Sequence, residues 1–309
     1  MRTAYRMGMG MRNQIQNFSS RLRLRAAWLA GLCLVQLALA APASAEALLW
    51  RVEGEGGAVS HLFGTMHSDD PRVARLPAPV VDALAGSRLV LLELDLGAPE
   101  VALAPLAMIL PPGQSLPRLL DEGLYRRALA AMQARGYPTE AVDRMRPWAV
   151  AITLAVPPPR SGQFLDLVLY QQATGRGIAV RGLETLSEQL AIFDRLSLDE
   201  QRALLRLSLD EYGQEAEAFE AMHRAYLARD LEVLANLSRE AFAQLPPGLG
   251  ARFEDALLTQ RNRRMAERAE PALRAGGAFV AVGALHLAGE DGLVARLKAR
   301  GYRLTPIHY

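Results

Sequence analysis

The sequence predicts an α/β protein: a central mixed β-sheet built from two strand–Gly-x-x-His–helix–strand units, with a large helical insertion between them. Three observations predict it. Short β-leaning runs lie near the two ends of the chain, helix-forming patterns fill the middle, and the two ends share one local plan. VSHLFGTMH (59–67) carries a strand into Gly-x-x-His ahead of the helix-like PAPVVDALAGS and the strand-like RLVLLEL. AFVAVGALH (278–286) repeats this ahead of GEDGLVARLKARG and YRLTPI.

Taken in order, residues 1–25 hold six arginines and no acid, and an apolar run follows from Ala26 to Ala40. APASA then places Ala43 and Ala45 in an A-x-A arrangement before Glu46. A basic region, a short apolar region and a small-residue site make a secretory signal peptide over 1–45, cleaved after Ala45. The apolar run is shorter than the roughly 20 residues of a spanning helix, so no stable membrane span is expected after cleavage. Cleavage would leave 264 residues with 29 basic and 33 acidic side chains, and it would remove the lone cysteine, Cys33. The mild positive charge of the full chain therefore belongs to the leader, and nucleic-acid binding is not expected. A disulfide framework or a thiolate zinc site is excluded as well.

Residues 46–309 read as one domain. LLWRV (48–52) and VSHLFG (59–64), joined by EGEGGA, form a hairpin. RLVLLELDL (88–96) is the apolar run of a buried central strand, and GIAVRGLE (177–184) is a shorter one. The helical insertion covers about 98–275, interrupted by the strand at 177–184; Ala, Leu, Arg and Glu dominate it.

Five histidines follow the leader, and two of them, His67 and His286, end the repeated units. A glycine three residues earlier allows a sharp turn or a close backbone approach. Sites in open α/β sheets form at the carboxyl ends of strands, so both histidines are expected to face one cleft. Glu93 and Asp95 lie two apart at the end of a strand, on one face. Glu93 could be a metal ligand or a general base; solvation at the sheet edge suffices for Asp95. Glu184 could join the cleft or cap the helix beginning at Thr185. Asn262, a poor helix former beside Arg261, suits an inward role orienting site groups, whereas Arg263, Arg264 and Arg268 fit a solvated face. His61 reads as packing, His223 as surface and His308 as a fraying terminus. No nucleophile elbow, H-E-x-x-H, P-loop or G-x-G-x-x-G occurs.

SHLFGTMHSDD (60–70), the strand with Glu93, GIAVRGLETLSEQL (177–190), LLTQRNRRMAER (257–268) and FVAVGALHLAGEDGLVARLKARGYRLTPI (279–307) together resemble the TraB/GumN family. That family is similar to the TIKI metalloproteases and, more distantly, to the erythromycin-esterase/ChaN-like proteins. The resemblance implies a divalent metal, Mn, Co or Zn, at a site of two Gly-x-x-His motifs, and peptide-bond hydrolysis in the TIKI branch. Carried over by residue, it implies catalytic and metal-holding roles for His67, His286 and Glu93. Glu184, Arg261 and Asn262, with Asp95, would support them. The family often has Gly-x-Asp before the helix near 165, whereas Gly162 is followed here by Gln163 and Phe164; Asp166 would have to substitute.

The expectation is a periplasmic or secreted metal-dependent hydrolase acting on a peptide or other small substrate in the cell envelope. The alternative is a non-catalytic periplasmic binding or accessory protein, related to haem or polysaccharide export.

Overall fold

The computed structural model describes residues 47–309; the leader assigned to 1–45 lies outside them. Six strands form one sheet: β1 (Leu49–Glu53), β2 (Val59–Thr65), β3 (Leu89–Leu94), β4 (Ala179–Glu184), β5 (Ala278–Gly283) and β6 (Arg303–Ile307). Their order is β4-β3-β5-β2-β1-β6. β1 runs antiparallel to β2 and β6, while β5 lies parallel between β2 and β3, and β4 pairs parallel to β3. The sheet is therefore mixed, as the sequence predicts.

The expected hairpin is β1–β2, with Leu49 opposite Phe63 and Glu53 opposite Val59. Its loop turns through Gly56 and Gly57, whose φ angles of +75° and +79° suit residues without a Cβ. β5 and the body of β3 are apolar because both faces are covered: Val90, Leu92, Phe279, Ala281 and Val282 are all buried.

The first unit continues through α1 (Pro71–Ala74) and α2 (Ala78–Ala85) into β3. The inserted helices include α3 (Glu122–Ala134), α4 (Pro147–Ala155), α5 (Leu165–Gly175), α6 (Leu186–Asp194), α7 (Leu198–Asp210), α8 (Glu215–Leu227), α9 (Leu231–Ala243), α10 (Leu249–Glu254) and α11 (Gln260–Ala275). β4 interrupts them between α5 and α6. Part of the insertion has its own apolar cluster, with Trp148, Leu154, Met132 and Leu205 fully buried. The second unit closes the fold through α12 (Leu293–Ala299) and β6.

Two features of this frame place the site. The strands that end in Gly-x-x-His, β2 and β5, are direct neighbours, with Gly64 opposite Val282 and Thr65 opposite Gly283. Both motifs therefore leave the sheet at the same carboxyl edge. In addition, a π-helical turn at Asp255–Thr259 leads into α11, a local widening of the kind found beside functional sites. Among the described residues, no helix is long and apolar enough to cross a membrane.

Candidate functional site

The glycines of the two motifs act by close approach. A Cβ on Gly64 would lie 2.8 Å from the Leu287 side chain and 3.1 Å from the Ala284 Cα, so only glycine lets the motifs pack side by side. Gly64→Ala is expected to cost about 1–3 kcal/mol from overpacking, read as a lower urea midpoint at unchanged slope. Gly283 serves a different contact. Its N–H donates to Glu93 Oε1 at 2.7 Å, and a Cβ there would sit 3.3 Å from the same oxygen.

Glu93 points from the end of β3 into the space between the motifs. Arg261 on α11 donates from Nη2 to Glu93 Oε2 at 2.6 Å. Gln189 on α6 donates to the same oxygen at 3.3 Å. Burial pushes the Glu93 carboxyl up, but the pull of His286 and of the Arg261 charge, with the Gly283 N–H, outweighs it and holds the group at about 2. Glu93 is ionised at neutral pH.

His286 is 4% exposed. Its Nδ1 lies 2.7 Å from Asn262 Oδ1, while the Asn262 amide donates to the Asp291 carbonyl at 2.9 Å. With the amide nitrogen committed to Asp291, Oδ1 must accept, so the hydrogen-bond network assigns the ring proton to Nδ1. Nε2 then presents a bare lone pair, 3.6 Å from Glu93 Oε1. Burial, assisted by Arg261, pulls the imidazole down to about 4 despite the opposing attraction of Glu93.

This has a consequence for stability. The unfolded chain protonates His286 near its ordinary value of about 6.5, whereas the folded chain resists until about 4. The unfolded state therefore takes up the proton first, and stability falls as pH drops from about 6.5 toward 4. Below about 4.5, Glu93 adds to the loss, since its folded value is also depressed. Urea unfolding at pH 7.5, 5.5 and 4.5 should show the decline, and His286→Asn should flatten its upper part.

His67 lies on the other side of the same space. Unlike His286 it is exposed, and its ring stacks on Phe164 with centroids 4.3 Å apart and planes 6° from parallel. Phe164 is held in place from behind: the Asp69 carboxylate accepts the N–H groups of Arg160, Ser161 and Gly162 at 2.6, 2.6 and 3.0 Å. Asp166, two residues on in α5, accepts from the Thr65 hydroxyl at 3.0 Å. Burial and the nearby Glu93 charge push its carboxyl up, against the pull of His67. A cavity of about 290 Å³ is lined by His67, Glu93 and His286 together; a neighbouring one of about 560 Å³ is lined by His67, Glu93 and Asp166.

The two Gly-x-x-His histidines and Glu93 thus share one cleft, and Asp166, not Asp95, is the second carboxylate in it. β3 ends at Leu94, so Asp95 falls in the following turn, where it accepts the Gly97 N–H at 2.9 Å. It reaches neither cavity. The same-face spacing with Glu93 holds only while the strand continues. Glu184 lines neither cavity and caps no helix, but Arg261 and Gln189 join it to Glu93, in the supporting position the resemblance implies. Its side chain has no exposed surface and is gripped by Arg261 at 2.7 Å and Arg264 at 3.0 Å. The following helix is capped by Thr185 with Glu188. Arg261 therefore bridges carboxylates from two strands. Arg264 departs from a solvated face by pairing with buried Glu184, whereas Arg268 stays exposed, as expected, and pairs there with Glu188 and the Leu183 carbonyl.

His223 corrects the surface reading. It is 8% exposed, with Nε2 2.8 Å from the Ser68 hydroxyl and Nδ1 3.7 and 3.8 Å from Asp70 and Glu220. Among the described residues, Asp70, Glu220 and His223 are the set whose ligand atoms all lie within 4.8 Å, and this group could hold a metal ion. The Arg72 guanidinium already sits between the carboxylates, 2.7 Å from Asp70 and 2.6 Å from Glu220. His67, Glu93 and His286 do not meet the same distance limit. Stacking on Phe164 fixes the His67 ring apart from the other two.

Asp69, Phe164 and Gln189 were not signalled by the sequence, since each works through a contact distant in the chain. The Asp69-Asp70-Pro71 run does signal a helix start, and Asp70 accepts the Arg72 N–H as its cap.

Fold and site together define an α/β protein with paired Gly-x-x-His edges, a buried glutamate and an arginine–carboxylate relay. The profile of the TraB/PrgY/gumN family matches residues 48–306, and the chain belongs to that family. It is 25% identical over 248 residues to the uncharacterized protein YbaP of Shigella flexneri, covering 79% of this chain and 89% of that protein. No solved structure matches it.

Proposed function

We propose that this chain is an exported, metal-dependent hydrolase of peptide bonds, with His67, Glu93, His286 and Asp166 as its reacting groups. The approach of His286 Nε2 to Glu93 carries the reading. A bare lone pair and an ionised carboxylate 3.6 Å apart in a buried wall repel each other unless a cation or proton lies between them. Imidazole nitrogen and carboxylate oxygen, with His67 and Asp166 across the cleft, suit Mn²⁺, Co²⁺ or Zn²⁺. Such an ion, when bound, supplies the positive charge that polarises a scissile carbonyl and acidifies water. The export leader expected from the sequence at 1–45 is in keeping with a cell-envelope location.

The protein groups divide the remaining work. Glu93, held at about 2, is too weak a base for proton transfer and serves as a fixed negative charge and ligand. Asp166 lines the cleft beside His67, and burial and the Glu93 charge push its carboxyl up; in this reading it takes the proton from water and returns it to the leaving amine. Thr65 orients that carboxylate, Asn262 fixes the His286 tautomer, and Arg261 holds Glu93 against displacement.

Calorimetric titration with Mn²⁺, Co²⁺ and Zn²⁺ should show binding that His286→Ala and Glu93→Gln abolish, and hydrolysis of a peptide panel should vanish with it. Absence of binding by the intact protein, together with unchanged hydrolysis in His286→Ala, overturns the reading. One observation favours a haem-binding protein instead: exposed His67 stands beside a cavity walled by Leu92, Leu94, Leu96 and Leu167. A haem absorbance titration with a shifted Soret band, lost in His67→Ala, would decide for that alternative.

A further inference from the structure

A second set of reactive groups lies outside the centre, in the loop that follows β2. Ser68 is buried, and its hydroxyl closes a turn by accepting the Asp70 N–H at 3.1 Å. The same Oγ lies 2.8 Å from Nε2 of His223, which reaches it from α8. The other ring nitrogen, Nδ1, faces Asp70 Oδ2 at 3.7 Å and Glu220 Oε2 at 3.8 Å. Hydroxyl, imidazole and carboxylate thus follow one another in the order that activates a serine for attack on a carbonyl.

The hydrogen-bond inventory gives the direction of this chain of contacts. A ring nitrogen facing two carboxylate oxygens is favoured with its proton on, so Nδ1 carries the hydrogen and Nε2 a lone pair. Nε2 then accepts, and the Ser68 O–H donates to it. A hydroxyl has one proton and two lone pairs. The proton goes to His223, one lone pair takes the Asp70 N–H, and the other is left for an electrophile. Arg72 fixes the acid end, 2.7 Å from Asp70 and 2.6 Å from Glu220. Two carboxylates against one guanidinium leave one negative charge to steady an imidazolium. Phe219 packs edge-on against the ring with centroids 6.0 Å apart.

Ser68 and His223 line a recess of about 160 Å³, with Phe164, Phe219 and the prolines at 157–159 as apolar walls. Its small apolar space suits a short acyl chain. Arg160 lines it as well, and the backbone N–H of that residue, not its guanidinium, is the group bonded to Asp69. The guanidinium is the cation at hand for the negative charge that develops on a carbonyl oxygen under attack.

We propose that Ser68 and His223, backed by Asp70 and Glu220, form a second catalytic site, a serine esterase for short acyl esters. Ser68 Oγ bonds to the ester carbonyl carbon as its proton passes to His223 Nε2. The carbon–oxygen bond to the alcohol then breaks, and the alcohol leaves with that proton. Water next gives a proton to His223 while its oxygen bonds to the acyl carbon; the acid departs as Ser68 recovers the proton. These side chains and water carry every step, independently of the metal-dependent reading of the centre.

The test treats the intact chain, with EDTA present, with p-nitrophenyl butyrate and separately with a small alkyl fluorophosphonate, from which Ser68 displaces fluoride. A burst of about one p-nitrophenolate per chain is expected, the mark of a covalent acyl intermediate. Mass spectrometry should place the phosphonyl adduct on Ser68. Ser68→Ala should abolish burst and adduct, and His223→Gln should lower kcat/KM by roughly 10²-fold or more, with urea midpoints confirming that both variants fold. No adduct on Ser68 of the intact chain, or one that forms as fast in His223→Gln, overturns the inference and leaves Ser68 as the cap of its turn. Ester hydrolysis that EDTA stops, with Ser68 unlabelled, also overturns it and assigns that chemistry to the centre at Glu93 and His286.

Discussion

Replacing Arg261 by alanine is expected to cost about 3–5 kcal/mol of stability, the largest effect of any single substitution around the site. The guanidinium reaches Glu93 at 2.6 Å and Glu184 at 2.7 Å through Nη2, and Glu184 again at 2.8 Å through Nε. Glu184 has no exposed side-chain surface, so removing this partner leaves buried negative charge that only Arg264 still opposes. Arg261→Lys should recover only part of the loss. An ammonium is a point charge and cannot reproduce a planar fork spanning two carboxylates. Arg263→Ala, on the exposed side of the same helix, should stay within about 0.5 kcal/mol and serves as the control. Urea unfolding of the three variants measures all of this. A loss below about 1 kcal/mol in Arg261→Ala would mean the bridge is solvent-compensated and the relay idea is wrong.

His67→Ala should show the opposite pattern. His67 is exposed and makes its main contact with the Phe164 ring, so its removal should change stability by less than about 1 kcal/mol. Hydrolysis, by contrast, should fall by roughly 10²–10⁴, the range expected when a positioned proton-transfer or ligand group is lost. The measurement is kcat/KM on whichever peptide of the panel is hydrolysed, beside a urea midpoint for the same preparation. A variant that keeps its activity removes His67 from the reacting groups and leaves Glu93, Asp166 and His286 to account for the chemistry. Together the two substitutions separate what holds the centre from what acts in it.

Much of the frame was legible because it is periodic. Apolar runs at 88–96 and 277–286 are long enough to demand burial on both faces, and they became β3 and β5. The repeated strand–Gly-x-x-His pattern placed His67 and His286 at one edge because parallel neighbours end together. Individual side chains proved harder. Asp95 was separated from Glu93 by the end of a strand, and strand ends are set by tertiary contacts that spacing does not carry. Arg264 looked like solvated charge because the acid it meets, Glu184, is 80 residues away. His223 sits among charged residues in its own helix, yet its burial comes from Ser68 and Asp70, in the loop after β2. Asp166 became visible only as a departure from a family pattern, since nothing in LDLVLYQQ marks an acid in the first turn of a helix as special.

The order in which the site's parts occur along the chain gives it a built-in timing. Thr65, His67 and Glu93 are made early, while Arg261, Asn262, Gly283 and His286 come from the last fifth of the sequence, across the entire helical insertion. β5 is also the strand that joins β2 to β3. Until residues through His286 are made, the β1–β2 and β3–β4 pairs have no strand to join them, and Glu93 lacks the Arg261 and Gly283 partners that hold it. A chain ending before β5 therefore holds neither the joined sheet nor the partners that fix the Glu93 carboxylate.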